Sequence, residues 1–197
     1  ALVAGAVDFA VHSYKDLPTA SPSELIVAAV PPREDPADLL LVRAHAVAEP
    51  HDGLPLVRGA RVGTASARRR VWLTHYRPDL AIEPLRGNLP TRLQKLVDGA
   101  FDAIVLAAAG VARLEAENRL GELLSELTVE RLDPLRFVPA PSQGALAVQC
   151  RRADEEVRAA LAALDHAPSR LAVSAERDAL AGAEGGCDIA FGAYCTI

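Results

Sequence analysis

Residues 61–114 read RVGTASARRRVWLTHYRPDLAIEPLRGNLPTRLQKLVDGAFDAIVLAAAGVARL, and one pattern recurs through them. A short apolar strand (Arg61 to Gly63) runs into a GTAS turn and a helical stretch (Arg68 to His75). A second strand (Ala81 to Pro84) runs into an RGN turn and a helix (Pro90 to Val97), and a third (Ala103 to Leu106) into an AAAG turn and another helix. Successive βα units of this kind build a parallel sheet, and ligands bind beyond the carboxyl ends of its strands, where these turns fall. The sequence therefore predicts an α/β protein whose Arg68, Arg69, Arg86, Arg92 and Arg113 approach one cleft.

The first turn has the outline of an anion site. Backbone N–H groups in the first turn of a helix have no internal partners, Thr64 and Ser66 add hydroxyls, and guanidinium forks match carboxylate or phosphate geometry. Consecutive helical residues point about 100° apart, so Arg68, Arg69 and Arg70 cannot all face one ligand, and Arg70 is the one assigned to solvent. The plainer alternative is a charged helix face, but no acidic residue follows before Asp79. Asn88 reads as an N-cap with Pro90 in the first turn, and Arg86 and Arg92 flank it. A phosphate-loop or dinucleotide reading fails, because neither GxxxxGK[ST] nor GxGxxG occurs.

The composition narrows the classes. With 197 residues, half of them apolar, the chain can bury a sizeable core in one large or two small domains. Its 21 Lys+Arg against 26 Asp+Glu give a net charge of −5, which argues against a general nucleic-acid or anionic-membrane surface. The longest uncharged apolar run (Ala103 to Ala112) falls far short of the roughly 20 residues that span a bilayer. Cys150, Cys187 and Cys195 show no zinc-type spacing, so reduced thiols in a cytoplasmic protein without a metal are expected. Lysine occurs only at Lys15 and Lys95 while arginine is abundant, a bias expected of a GC-rich bacterial genome. There is no methionine, and the first and last residues read as interrupted elements, so a fragment of a longer protein is expected.

Strands are also expected at Val7 to His12, Leu25 to Ala29, Leu39 to Val42 and Ala145 to Cys150. Helix is expected from Ala153 to Ala183, interrupted at Ala167-Pro168, with a further β element from Ile189 to Ile197. Two proline-rich segments, Pro31 to Asp38 and Pro139 to Gly144, read as paired crossings between two lobes, a clamp with a two-strand hinge.

Two further clusters carry chemistry. In VDFAVHSYKDLPT (Val7 to Thr19) a strand delivers Ser13, Lys15 and Asp16 to one end. Such a carboxylate can stabilise a cation or shuttle a proton, and the lysine can pair with an acidic group; an ordinary solvated loop with a local ion pair is the other reading. His12 reads as a structural strand residue. Cys187, in EGGCDIAFGAYC, follows two glycines on a loop where a thiolate can attack an electrophile; a small buried residue is the alternative, and it fits Cys150 and Cys195 better.

Five motifs in register, VHSYKDLPT, VGTASARRR, PLRGNLPTRL with FDAIVLAAAGVARL, PAPSQGALAVQCR and EGGCDIAFGAY, resemble the porphobilinogen deaminase (hydroxymethylbilane synthase) family over nearly the whole chain. The resemblance implies two lobes like those of periplasmic binding proteins, residues 1–37 with 140–163 and residues 38–139, and the start of a small α+β third domain at 164–197. It implies a monomeric cytoplasmic transferase of tetrapyrrole (heme, porphyrin) synthesis that condenses four porphobilinogen molecules into hydroxymethylbilane with loss of ammonia. Its primer would be a dipyrromethane cofactor in thioether linkage to Cys187. Asp16 would handle protons and cationic charge at pyrrole nitrogens. Ser13, Lys15, Thr64, Ser66, Arg68, Arg69, Arg86, Gly87, Arg92 and Arg113 would hold the acetate and propionate arms. Ala65 stands where the family commonly has serine, and Asp188 to Phe191 replace a stretch that usually carries proline. By the same resemblance an N-terminal segment and most of the third domain are expected to be missing, so that this chain alone would bind cofactor weakly or be inactive. A non-enzymatic two-lobed small-anion binding module is the competing reading, since the fold alone permits it.

Overall fold

The computed structural model describes residues 1–51, 53–117, 120–183 and 190–197. The chain divides into two compact units, one of Ala1–Pro36 with Pro139–Ile197 and one of Ala37–Val138. It passes from the first to the second after Pro36 and returns after Val138, within or beside the two proline-rich segments. Neither crossing is itself assigned as strand.

The first unit begins with β1 (Phe9–Ser13), a 3-10 turn (Tyr14–Asp16) and β2 (Leu25–Ala29). The second unit runs through β3 (Asp38–Arg43), β4 (Val47–His51), β5 (Leu54–Leu56), β6 (Arg61–Gly63), α1 (Ala67–Tyr76) and β7 (Ala81–Glu83). It continues with α2 (Leu89–Val97), β8 (Ala103–Ala107), α3 (Ala108–Ala116), α4 (Gly121–Leu124) and β9 (Leu127–Arg131). The chain then re-enters the first unit with β10 (Leu146–Arg151), α5 (Glu155–Ala162) and α6 (Ala167–Gly182).

In the second unit five strands lie in the order β7-β6-β8-β3-β9. β6 pairs in parallel with β7 and β8, as the repeated βα units predict. β3 runs antiparallel to both β8 and β9, so the sheet is mixed. Both faces of its middle are covered, which is why these strands read as continuous apolar runs. The period of two still sorts the side chains: Leu40, Val42, Ala103 and Val105 join one core cluster with Leu73, while Leu41, Ile104 and Leu106 join the other with Leu93 and Leu96. The reversal of β3 places its first residue, Asp38, opposite Ala107 at the end of β8. Asp38 thus lies at the carboxyl edge of the parallel strands, level with the start of α3.

The first unit carries an antiparallel sheet, β1-β10-β2. Val148 and Cys150 of β10 pack with Leu161 of α5, and Val173 of α6 packs with Val30, Ala145 and Tyr14. Residues 164–183, expected to open a third domain, cluster within this unit. Pro168 occupies the first turn of α6, where its missing N–H costs nothing. Residues 190–197 contain no strand, contrary to the expected β element; the backbone N–H of Ala193 instead bonds the Pro139 carbonyl, and that of Cys195 the Glu176 carboxylate.

Glu176 ties this unit together. Its side chain is 1% exposed and accepts both terminal nitrogens of Arg33 (2.7 and 3.0 Å) and the Ser142 and Cys195 amides (2.7 and 2.8 Å). Arg33 also donates from Nε to the Gln143 carbonyl. Beside this knot Gly144 has φ +89°, and a Cβ there would lie 2.5 Å from the Glu34 carbonyl oxygen. Gly5 has a similar φ (+72°) but open space around it. We expect Gly5→Ala to cost about 1–2 kcal/mol through the left-handed backbone alone, and Gly144→Ala to cost clearly more. Equal shifts in urea midpoint for the two variants would contradict this account.

Candidate functional site

The turn after β6 is built from its own side chains. The Ser66 N–H donates to Thr64 Oγ1 (3.1 Å), and Ser66 Oγ, as N-cap of α1, accepts from the Arg69 N–H (3.4 Å). Thr64 is buried, Ser66 half-buried and Ala65 exposed. Gly63 admits no side chain because a Cβ would meet the Phe101 ring at 2.9 Å.

Arg68 and Arg69 both turn inward, at 5% and 6% exposure, and meet at Asp38, which is fully buried. Arg68 Nη2 donates to Asp38 Oδ2 (2.6 Å) and Nη1 to the Val138 carbonyl (2.7 Å). Arg69 donates from Nε and Nη2 to Asp38 Oδ1 (3.1 and 2.6 Å) and from Nη1 to the Val105 carbonyl (2.9 Å). Burial works to raise the Asp38 pKa, but the two guanidiniums outweigh it and hold the carboxyl below its ordinary 3.8. Burial likewise pushes Arg68 down, against the pull of Asp38. Arg68 Nε is buried with no hydrogen-bond partner among the described residues. Among the described residues two guanidiniums pair with this one carboxylate, and their positive charge is fixed at the carboxyl edge of the sheet.

The second turn adds to that charge. Asn88 caps α2, accepting from the Thr91 N–H (3.0 Å) and hydroxyl (2.7 Å). Gly87, at φ +121°, turns its carbonyl to Arg92 Nε (2.7 Å), and the Arg86 carbonyl accepts from Lys95 Nζ (3.0 Å). Arg86 is exposed and Arg92 half-buried. Burial, and then the charge of Arg69, lower the Arg92 pKa, so Arg92 shares the field of the first turn. Arg113 is half-buried in the last turn of α3 rather than its first. Arg70, assigned to solvent, is exposed and donates to the Ile82 carbonyl (3.1 Å).

In the other unit, Ser13 ends β1 and precedes the 3-10 turn that carries Lys15 and Asp16. Ser13 and Asp16 are exposed and Lys15 is half-buried, with Nζ 3.4 Å from Gln143 Oε1. Gln143, 1% exposed, spends its amide nitrogen on the Pro36 carbonyl (2.8 Å), so its oxygen faces the lysine. His12, read as a satisfied strand residue, has a buried Nε2 without a partner among the described residues. Cys187 lies outside the described residues. Cys150 is buried and burial raises its thiol pKa, as an inert core cysteine requires, whereas Cys195 is half-buried rather than buried. Among the described residues no cluster fit to hold a metal occurs, and no helix is long and apolar enough to cross a membrane.

The family model described as "Porphobilinogen deaminase, dipyromethane cofactor binding domain" matches residues 1–159. The chain belongs to the porphobilinogen deaminase family. It is 50% identical over 191 residues to porphobilinogen deaminase of Brevibacillus brevis, covering 96% of this chain and 57% of the relative. It is 49% identical over 197 residues to that of Mycobacterium leprae, covering all of this chain and 58% of the relative. The chain thus spans less than three fifths of the length of these two curated relatives. Among solved structures, the VFT2 domain of Bordetella pertussis BvgS is similar at a TM-score of 0.50 and 17% identity, covering 90% of this chain and 70% of that one. That likeness concerns the fold alone, an α/β architecture of the kind found in two-lobed periplasmic binding proteins.

The sequence reading overlooked Asp38, Gln143, Glu176 and Arg33. The first signal was present: a lone aspartate between Pro36 and the apolar run of β3 is a buried acid wherever that strand is central. Removing its charge should leave two buried cations facing each other. We expect Asp38→Asn to lower unfolding free energy by about 3–5 kcal/mol near neutral pH. Because the folded-state pKa of Asp38 is depressed, its stabilisation is present above pH 3.8 and lost as the pH falls toward the folded value. The wild-type protein should therefore show an acid limb in urea titrations that is shallower in Asp38→Asn; parallel limbs would remove Asp38 from this role.

Proposed function

We propose that the chain is part of a transferase of tetrapyrrole synthesis, which condenses four porphobilinogen molecules stepwise, with loss of ammonia, to hydroxymethylbilane. It would act in the cytoplasm as a monomer, with residues 164–197 leading into the domain that carries a dipyrromethane cofactor on Cys187. The observation that carries this reading is the surplus guanidinium charge at the carboxyl edge of the second unit, in a chain half identical to curated porphobilinogen deaminases.

The donor set fits a group with several carboxylate arms. Arg68 Nε is a buried donor with no acceptor among the described residues, Arg86 is exposed beside the cap of α2, and Arg69 and Arg92 share one field. Each carboxylate so held neutralises charge that the protein has already confined, and bidentate geometry fixes its orientation. Thr64, Ser66 and Gly87 shape the two turns so that the guanidiniums stand at fixed places. When bound, the dipyrromethane supplies the pyrrole carbon to which the first substrate is joined.

Asp16 suits proton handling. Its exposed carboxylate follows directly on Lys15, whose ammonium would add a positive charge at the same strand end. An ionised carboxylate at this position would accept a hydrogen bond from a pyrrole N–H, stabilise positive charge as ammonia departs, and take up the proton released when the ring regains aromaticity. Ser13 would add a hydroxyl at the same strand end, and Arg113 a cation further along α3.

Intact mass measurement tests the attachment. The purified full-length protein to which this chain belongs should carry a covalent dipyrrole adduct that is absent from Cys187→Ser, and an unmodified thiol in that folded wild-type parent would overturn the assignment. Asp16→Ala should lose at least about a hundred-fold in turnover while still acquiring the adduct; turnover at wild-type rate would exclude Asp16 from the chemistry.

A further inference from the structure

The turn that presents Lys15 and Asp16 has no side-chain cap at its start, and Leu17 N–H to the Tyr14 carbonyl (3.2 Å) is the bond that closes it. That Tyr14 carbonyl and the two that follow the turn, of Leu17 and Pro18, point to one cation. Arg177 of α6 donates from Nη1 to the Tyr14 and Leu17 carbonyls (3.2 Å each) and from Nη2 to the Pro18 carbonyl. The same guanidinium covers the Tyr14 ring, 4.6 Å from its centroid. That ring in turn packs on the cluster containing Val173, one helical turn before Arg177.

We propose that Arg177 is the positioning residue for Asp16: it fixes the backbone on both sides of the carboxylate without touching the reacting atoms. A 3-10 turn of three residues has little stability of its own, so its geometry must be imposed from outside. A guanidinium that bonds three carbonyls and stacks on one ring imposes it through a planar, rigid fork, which a lysine cannot reproduce. The fork stands on a helix anchored by Val173 and Glu176, at 0% and 1% exposure, and so transfers the rigidity of the core to an exposed carboxylate. A surface arginine serving only solubility would face water, and one serving only α6 would pair with an acid on that helix. Instead, the contacts of Arg177 span residues 14–18.

This inference rests on the reading of Asp16 given above, and its test separates the two. In the full-length protein, Arg177→Ala should reduce kcat by about ten- to a hundred-fold, with KM nearly unchanged, because the carboxylate is misplaced rather than lost. Amide exchange at Leu17 should accelerate in the same variant, while exchange in β10 stays at the wild-type rate. Methylguanidinium added at low millimolar concentration should recover part of kcat, and Arg177→Lys should recover less. A variant merely destabilised would be harmed further by that cation. Unchanged kcat, unchanged Leu17 exchange, or a loss that methylguanidinium deepens would each overturn the proposal. If the full-length wild-type protein itself does not turn porphobilinogen over, the functional reading of Asp16 fails, and Leu17 exchange alone then decides whether Arg177 holds the turn.

Discussion

A carboxylate with no access to water stays ionised only if cations reach it, and in this protein two guanidiniums reach Asp38. The pairing dictates much else in the second unit. It draws Arg68 and Arg69 inward from the first turn of α1, which requires Ser66 to cap that helix and Thr64 to support the cap. It fastens α1 to Val138 through Arg68, a contact that Trp72 repeats with its indole N–H (3.2 Å). Because one acid serves two bases, the cluster keeps a positive remainder, and the low-dielectric surroundings make that remainder count for more than an exposed charge would. On the proposed function, the same three side chains supply both stability and the attraction for anionic arms.

Most of the architecture could be read from the residues, and the parts that escaped share a cause. The strands β6, β7 and β8 and the helices after them announce themselves through apolar runs followed by turn chemistry. β4 and β5 are short and contain Pro50 and Pro55, which demote a strand in any propensity reading. β9 is an edge strand whose residues are nearly all exposed, so it has no apolar pattern to see. The direction of β3 is a tertiary fact: nothing in DLLLVR distinguishes parallel from antiparallel pairing. That direction decides where Asp38 goes, so its pairing with Arg68 and Arg69 could not be read even though a buried acid at that position could.

The same limit applies in the first unit. Ser13, Lys15 and Asp16 could be singled out because they crowd the end of a strand. Gln143, Glu176 and Arg177 could not, since each acts across more than a hundred residues of sequence. A glutamate followed by an arginine in an alanine-rich helix reads as ordinary surface. Burial reverses that meaning for Glu176, and three carbonyls reverse it for Arg177.

Glu176 and Arg177 are neighbours on α6, and side chains one residue apart project about 100° from each other around a helix. One therefore grips the Ser142 turn and the other the segment 14–18, from a single rigid cylinder. Any rotation of α6 about its axis would displace both loops at once and in a set proportion, and a shift along the axis would carry them the same way. Two stretches of chain far apart in sequence are in this way geared to one shaft, whose next few residues lead to Cys187.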